Sequence, residues 1–355
     1  KPKTPKTTKN PKQGEFIMST LKSNWFNKQV PGKPMGRYAH IVTIRVTDSY
    51  PLFQTDGELN TARVNSGEAN KDPMTRLTIF KRKQSTPERL VGRELLRRYG
   101  LVSGEEASEK KENGADGLPI CDYNVKFCTQ CPDCISYGFA IGDAGSEKSK
   151  VITDTAYSLS SYEHSHEAFT LNAPYEDGTM TRHGEVTSRI NEQDHVSPQV
   201  VFPSVITTRD LTENLFMYVL NNIQRTKRYG AQTTRTGRMQ NHIVAVILAD
   251  GEIFSNLLFT QKLYDALNAQ GKINPPDPIN PQAVIDTAQE IIHQLLKADG
   301  VVGDQILTGK ELQDLLGEVS TASANDANMR DLLKKAFTDS QAYHQAWIAK
   351  SGKKK

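Results

Sequence analysis

Four cysteines, Cys121, Cys128, Cys131 and Cys134, fall within 14 residues, and the chain has no others. The pattern Cys121-x6-Cys128-x2-Cys131-x2-Cys134 can bring four thiolates around one ion, and closed all-sulfur sites of this kind are typically structural zinc. Two rivals stay open at this level. One is an iron–sulfur cluster, because CxxCxxC also occurs in ferredoxin-type ligation; the other is four free thiols. Three closely spaced cysteines are tight around one ion, so His164 or His166 is a candidate to replace one sulfur. A zinc deaminase is excluded: its His-x-Glu precedes the paired cysteines, whereas His183-Gly184-Glu185 follows Cys131-Pro132-Asp133-Cys134, and the proline here lies inside the pair.

Positive charge gathers in two further places. Between Arg76 and Arg98 stand eight basic residues and two acidic ones, Glu88 and Glu94. Lys81, Arg82, Lys83 and Gln84 precede a stretch with strong helix signals: Ser85 or Thr86 as N-cap, Pro87 in the first turn, Glu88 complementing the dipole and Gly100 as the stop. Arg89, Arg93 and Arg97 recur every four positions and so share one helix face. Free N–H groups at such a helix start suit phosphate; the competing reading is an ordinary solvated face paired with Glu88 and Glu94. The second place holds Arg225, Lys227, Arg228, Arg235 and Arg238, with no acid before Asp250. Gly230 and Gly237 allow close backbone approach, Gln232 and Thr233 donate to phosphate, and Tyr229 offers a stacking face. Such a loop is poorly explained as a fold requirement and favours polyanion binding. No GxxxxGK[ST] occurs, so nucleotide hydrolysis has no support.

The elements that must position these groups follow from periodicity. Tyr38–Thr47 alternates like a half-buried strand, and Arg76–Phe80 is a second strand. Lys150–Leu159 and Gln199–Thr208 are strands. Leu211–Ile223 is a helix with one apolar face, His242–Ala249 a strand, and Ser255–Leu267 and Val284–Leu296 are helices. Residues 101–118 are acidic and Gly-rich, an exposed loop. Residues 164–203 are long and polar, an extended hairpin or loop, and the Pro-rich 274–281 segment breaks the chain before two or three C-terminal helices. The order β, β, α, insertion, β, arm, β, α, β, α predicts an α+β fold with one sheet and large insertions, compatible with a ferredoxin-like core of the RNA-recognition type.

Composition bounds the rest. The chain has 355 residues, 37% apolar and 24% charged, enough to bury a sizeable core. Forty-four basic and 41 acidic side chains give a net charge of only +3, so any polyanion site is local. No apolar run reaches a membrane span, and the Lys-rich residues 1–17 resemble a flexible basic tail before a start at Met18. Membrane and secreted readings are therefore set aside for a cytoplasmic protein.

Taken together, SYPLFQTDGELNTARV (49–64), TPERLVGREL (86–95), the CPDC block, GSEKSKVITDTAYS (145–158), NAPYEDGTM (172–180) and RYGAQTTRTGRMQNHI (228–243) resemble the backbone subunit of type I-D CRISPR Cascade complexes, a branch of the Cas-seven superfamily. The similarity covers most of residues 36–270. It implies an RRM-type palm over 18–273 carrying an inserted zinc-binding finger (101–150) and a thumb arm (162–198), with 274–355 a helical C-terminal region and basic tail. It also implies copies lined up as a filament along a guide crRNA, beside other Cascade subunits, presenting the guide to a target DNA or RNA strand.

On this resemblance, guide-binding elements fall on Lys81–Arg93 and Arg225–Arg238, and a structural zinc falls on the cysteine block. The arm carries Phe169, Leu171, Tyr175 and Met180 as wedge candidates. A protein that accepts any guide must use phosphate, ribose and stacking contacts and leave sequence to base pairing. Two other functions compete. One is target-strand cleavage by the same subunit, through Asp48 or Asp56; the other is a zinc-stabilised RNA- or single-stranded-DNA-binding protein outside CRISPR.

Overall fold

The computed structural model describes residues 20–22, 24–106, 111–140, 145–170, 181–182, 185–186, 192–230 and 236–349. The basic tails at either end, Gln232, Thr233, Arg235, Leu171, Tyr175 and Met180 lie outside the described residues.

In chain order, β1 (Tyr38–Thr47) is followed by β2 (Thr61–Asn65), β3 (Pro73–Ile79) and helix α1 (Lys81–Arg98). The cysteine block ends in the short α2 (Pro132–Tyr137), before β4 (Val151–Thr153) and β5 (Ala156–Tyr157). The arm begins with β6 (His166–Thr170) and returns through β7 (Glu192–Val196) into β8 (Val201–Arg209). Then come α3 (Glu213–Arg225), β9 (Arg228–Tyr229), β10 (Gly237–Ala249), α4 (Asn256–Ala269), α5 (Pro281–Asp299), β11 (Gly303–Leu307), α6 (Gly309–Ala322) and α7 (Asp326–Tyr343).

The main sheet runs β9-β10-β1-β8-β4, with β11 also on β10, and every pairing is antiparallel. Strands β1, β4, β8 and β10 are thus interleaved as fourth, first, third, second, with α1 and α3 in the two crossovers. β1 sits in the middle, and all ten of its residues are buried. It was expected to be half-buried; the difference comes from the C-terminal half of the chain. Ala39 and Ile41 face a core shared with α1, α3, α6 and α7, while Val42, Ile44 and Val46 face a second core built with α4 and α5. Helices cover both faces, so both sets of alternate residues leave water.

The C-terminal region is accordingly part of the main body: β11 extends the sheet, and α7 packs on α3. The first core also takes in residues before the 36–270 stretch of family similarity, with Leu21, Phe26 and Val30 buried in it. The arm is an antiparallel ribbon at its base, His166–Thr170 pairing with Val196–Glu192, and Thr181–Arg182 pairs with Glu185–Val186 farther along. α1 and α3 cross closely at Gly92, where a Cβ would fall 2.3 Å from both the Tyr218 hydroxyl and Asn222 Nδ2. Among the described residues, no helix is long and apolar enough to cross a membrane.

Candidate nucleic-acid interface and metal centre

α1 starts one turn earlier than its Ser85-Thr86-Pro87 signal suggests. Its N-cap is Phe80, which makes no side-chain capping bond, and its first turn holds no acid. Ser85 donates instead to the Lys81 carbonyl, and Pro87 lies inside the helix. Lys81, Arg82 and Lys83 therefore add their charge to the positive end of the helix, the arrangement opposite to the stabilising one. Arg82 is exposed; Lys83 is half-buried and donates to the Thr55 hydroxyl, and partial burial with the nearby Arg82 guanidinium pushes its ammonium down. Lys81 lies 3.7 Å from Asp154, both exposed.

The second basic element meets the first. β9 and β10 place Arg228 directly opposite Arg238, a like-charge pairing that costs stability in a sheet. Among the described residues, Arg82, Lys83, Lys227, Arg228 and Arg238 form no ion pair. Arg225, Lys227, Arg228 and Arg238 are exposed. Arg228, Gly230 and Thr236 form one wall of an open groove of about 660 Å³ whose other wall is Phe80, Arg82, Lys83, Thr86, Pro87, Leu90, Val91 and Glu94, with Gln54 and Thr55 at its edge. Two segments some 140 positions apart in the chain thus join in one cationic cleft. Gly237 serves the protein's own packing: a Cβ there would fall 2.4 Å from the Pro51 nitrogen.

Four residues expected to meet RNA are turned inward. Gln84 is fully buried; it accepts from Arg45 Nη1 and donates to the Ile79 and Asp154 carbonyls. Tyr229 is fully buried too, so it has no stacking face: its hydroxyl donates to Glu88 Oε1 at 3.0 Å and accepts from Asn241. Glu88, read as a dipole or surface partner, is buried and takes Arg45 Nη2 at 2.6 Å; burial pushes its carboxyl up and Arg45 opposes this. This network of Arg45, Gln84, Glu88, Tyr229 and Asn241 lies under the groove and ties both walls to β1. Sequence reasoning missed it, although an arginine inside the apolar alternation of β1 was a signal: such a charge needs a buried partner.

Arg89 and Arg93 are the other two. Both grip Asp133, Arg89 through Nε and Nη2 at 3.0 and 2.8 Å and Arg93 through Nη1 at 2.6 Å. Burial opposes their charge, but the Asp133 carboxylate outweighs it, so both are held above the ordinary arginine range. Arg93 also donates to the Cys121 carbonyl and sulfur. The α1 stripe therefore fastens the cysteine block; only Arg97 of the three is exposed.

That block gathers all four sulfurs within 4.8 Å of one another, so it can hold a metal ion. Cys121 Sγ lies 3.8 Å from Cys131 Sγ and 3.6 Å from Cys134 Sγ, and Cys128 Sγ 4.0 Å from Cys134 Sγ. Backbone N–H groups point at the sulfurs: Cys128 to Cys121 at 3.4 Å and Cys134 to Cys131 at 3.5 Å, the latter capping α2. Hydrogen bonds from the other thiols hold Cys121 far below an ordinary thiol, with Arg93 assisting, while burial pushes Cys131 and Cys134 up. Neither His164 nor His166 belongs to the cluster; His166 Nδ1 bonds the Tyr162 carbonyl. Asp48 and Asp56 are exposed, Asp48 accepting from Gln240 and Asp56 sitting at φ 55° in a tight turn.

An antiparallel sheet covered by helices on both faces, with a cationic groove and a four-cysteine cluster, defines an α+β class of protein. The chain belongs to the Csc2 CRISPR family, whose model, described as "Csc2 Crispr", matches residues 25–333. The crystal structure of Thermofilum pendens Csc2 is similar over 96% of this chain and 95% of that one, at 15% identity and a TM-score of 0.59, a likeness of fold. A chain of a "CRISPR RNA-guided surveillance complex" matches at 12% identity and TM-score 0.42, covering 80% of this chain and 99% of that one. A chain of a "Type IV-B CRISPR Complex" matches at 13% identity and TM-score 0.36, covering 58% and 90%. No curated protein matches the sequence.

Proposed function

We propose that this protein is the backbone subunit of a type I-D CRISPR surveillance complex, binding guide crRNA without regard to sequence and presenting it to a target strand. The observation that carries this reading is the groove in which Arg82 and Lys83 face Arg228, none of them in an ion pair among the described residues. A positive cleft at an uncapped helix start is a site for phosphate oxygens. A protein serving every guide needs contacts of this kind. Membership of a CRISPR family supports the assignment.

In this reading the main sheet with α1 and α3 is a ferredoxin-like, RRM-type palm, which its strand order supports. The cysteine block is the finger, and the β6–β7 ribbon is the base of the thumb. Zinc is the metal the finger would hold. A Zn–S bond of about 2.3 Å in tetrahedral geometry sets sulfurs about 3.8 Å apart, close to the 3.6, 3.8 and 4.0 Å of the three pairs given above. Copies assemble as a filament along the guide with other Cascade subunits, in the cytoplasm.

Expression with a repeat-spacer transcript tests the whole assignment. Purified protein should carry RNA of uniform length, in discrete multimers with a fixed nucleotide step. RNA of random length in a one-to-one complex, or none, would overturn it.

A further inference from the structure

The groove is not shaped for phosphates alone. Lys83, Pro87, Leu90, Val91 and Glu94 recur at three- and four-residue intervals and line one face of α1. Only the first is a cation, the middle three are apolar, and Glu94 repels a polyanion at the far end. At the other end stands Phe80, 41% exposed, one of few large apolar side chains left in water among the described residues. It occupies the N-cap, where Ser, Thr, Asp or Asn would satisfy a first-turn N–H, and it makes no such bond. Neither capping nor core packing accounts for an aromatic ring there. Lys83 Nζ lies over one face of the ring, 5.7 Å from its centroid, so the ring and a groove cation are in cation–π contact.

We infer that Phe80 is a stacking platform for an unpaired nucleobase whose flanking phosphates are held by Arg82, Lys83 and Arg228. The inference rests on the guide-RNA reading and adds a base contact to it. Tyr229, the aromatic the sequence offered for this task, is sealed under the groove, whereas Phe80 opens onto it. Every base has a π-face, so a platform of this kind grips RNA without reading its sequence. The apolar stretch of Pro87, Leu90 and Val91 continues the surface away from the cations, so bases lie along α1 while the backbone stays at its start.

The test compares the full chain with Phe80→Ala and Phe80→Trp, all checked for equal melting temperature. Each is titrated with short oligouridine, oligoadenosine and an abasic ribose-phosphate oligomer of the same length. Phe80→Ala should weaken binding of both base-bearing oligomers on the order of tenfold, while its affinity for the abasic oligomer and its salt dependence match the parent. Phe80→Trp should restore affinity, and its added fluorescence should be quenched by RNA but not by the abasic oligomer. Equal loss on all three oligomers, or no loss on any, would overturn the stacking role and leave the phosphate groove standing. Failure of the parent to bind any oligomer would overturn the guide-RNA reading as well.

Discussion

The two ends of α1 carry the same kind of side chain to opposite purposes. At its start, Arg82 and Lys83 form no ion pair among the described residues and face a groove shared with Arg228. Two turns on, Arg89 and Arg93 are withdrawn from water onto Asp133. Nothing in the spacing of basic residues along the helix separates the two groups. The acid that does so lies 40 positions from Arg93, inside the cysteine block, on the short helix α2 that also carries Cys134. One helix thus joins a structural centre to a proposed binding groove, and the role of each cation is set by whether a buried carboxylate meets it.

The largest effect should come from the structural end. Removing the zinc proposed for the four cysteines should unfold the 121–134 segment, because structural zinc contributes about 10 kcal/mol or more to small sites of this kind. Elemental analysis should find one zinc per chain, and hydrogen exchange after chelation should rise in that segment while β1 and β10 stay protected. Iron, or no metal, would contradict the assignment. Asp133→Ala comes next: it strands two buried guanidinium groups and should cost about 3–5 kcal/mol in urea unfolding. Lys83→Ala should stay within about 0.5 kcal/mol. Equal losses would erase the contrast between the two ends.

Acid offers a third test, independent of both ends. His40, within β1, is buried, its Nε2–H donating to the Gly251 carbonyl and its Nδ1 accepting from Thr207. Burial lowers its pKa from 6.5 to about 4. The unfolded chain binds this proton first, so the stability it contributes is complete above pH 6.5 and is lost as pH falls toward 4. The loss is about 3 kcal/mol. His40→Gln should flatten that part of the profile; an unchanged profile would assign the acid sensitivity elsewhere. Tyr229→Phe leaves Glu88 and Asn241 short of a partner and should cost about 1–3 kcal/mol. RNA affinity in this variant should change little, and a selective loss of RNA binding would show that the Tyr229 hydroxyl does reach RNA.

Local chemistry in the sequence was enough to find the cysteine block, both basic elements, the apolar face of α3 and most strands. What it could not give was the partner of each charge. Gln84, Arg89, Arg93 and Tyr229 are polar residues on or beside basic runs, and only long-range packing shows them closed off. Pro87 read as a helix start because proline is favoured in a first turn, yet α1 begins six residues before it. β1 read as half-buried because alternation reports one covered face, and its second cover arrives from α4 and α5, some 220 residues later. β11 escaped notice because Gly303–Leu307 is short and its burial comes from the sheet edge it joins. Phe80 was hidden as the last residue of an apolar strand, and its exposure became visible only once the helix start was placed.

The central claim is that Arg82, Lys83 and Arg228 together grip an RNA backbone. Its most direct test is the salt dependence of RNA binding by the full chain carrying all three as alanine. Each lost phosphate contact should reduce the magnitude of the log–log slope by about 0.7 on a single strand, so the triple variant should lose about two units, alike for every sequence. A slope equal to that of the parent would show that the groove does not touch the backbone.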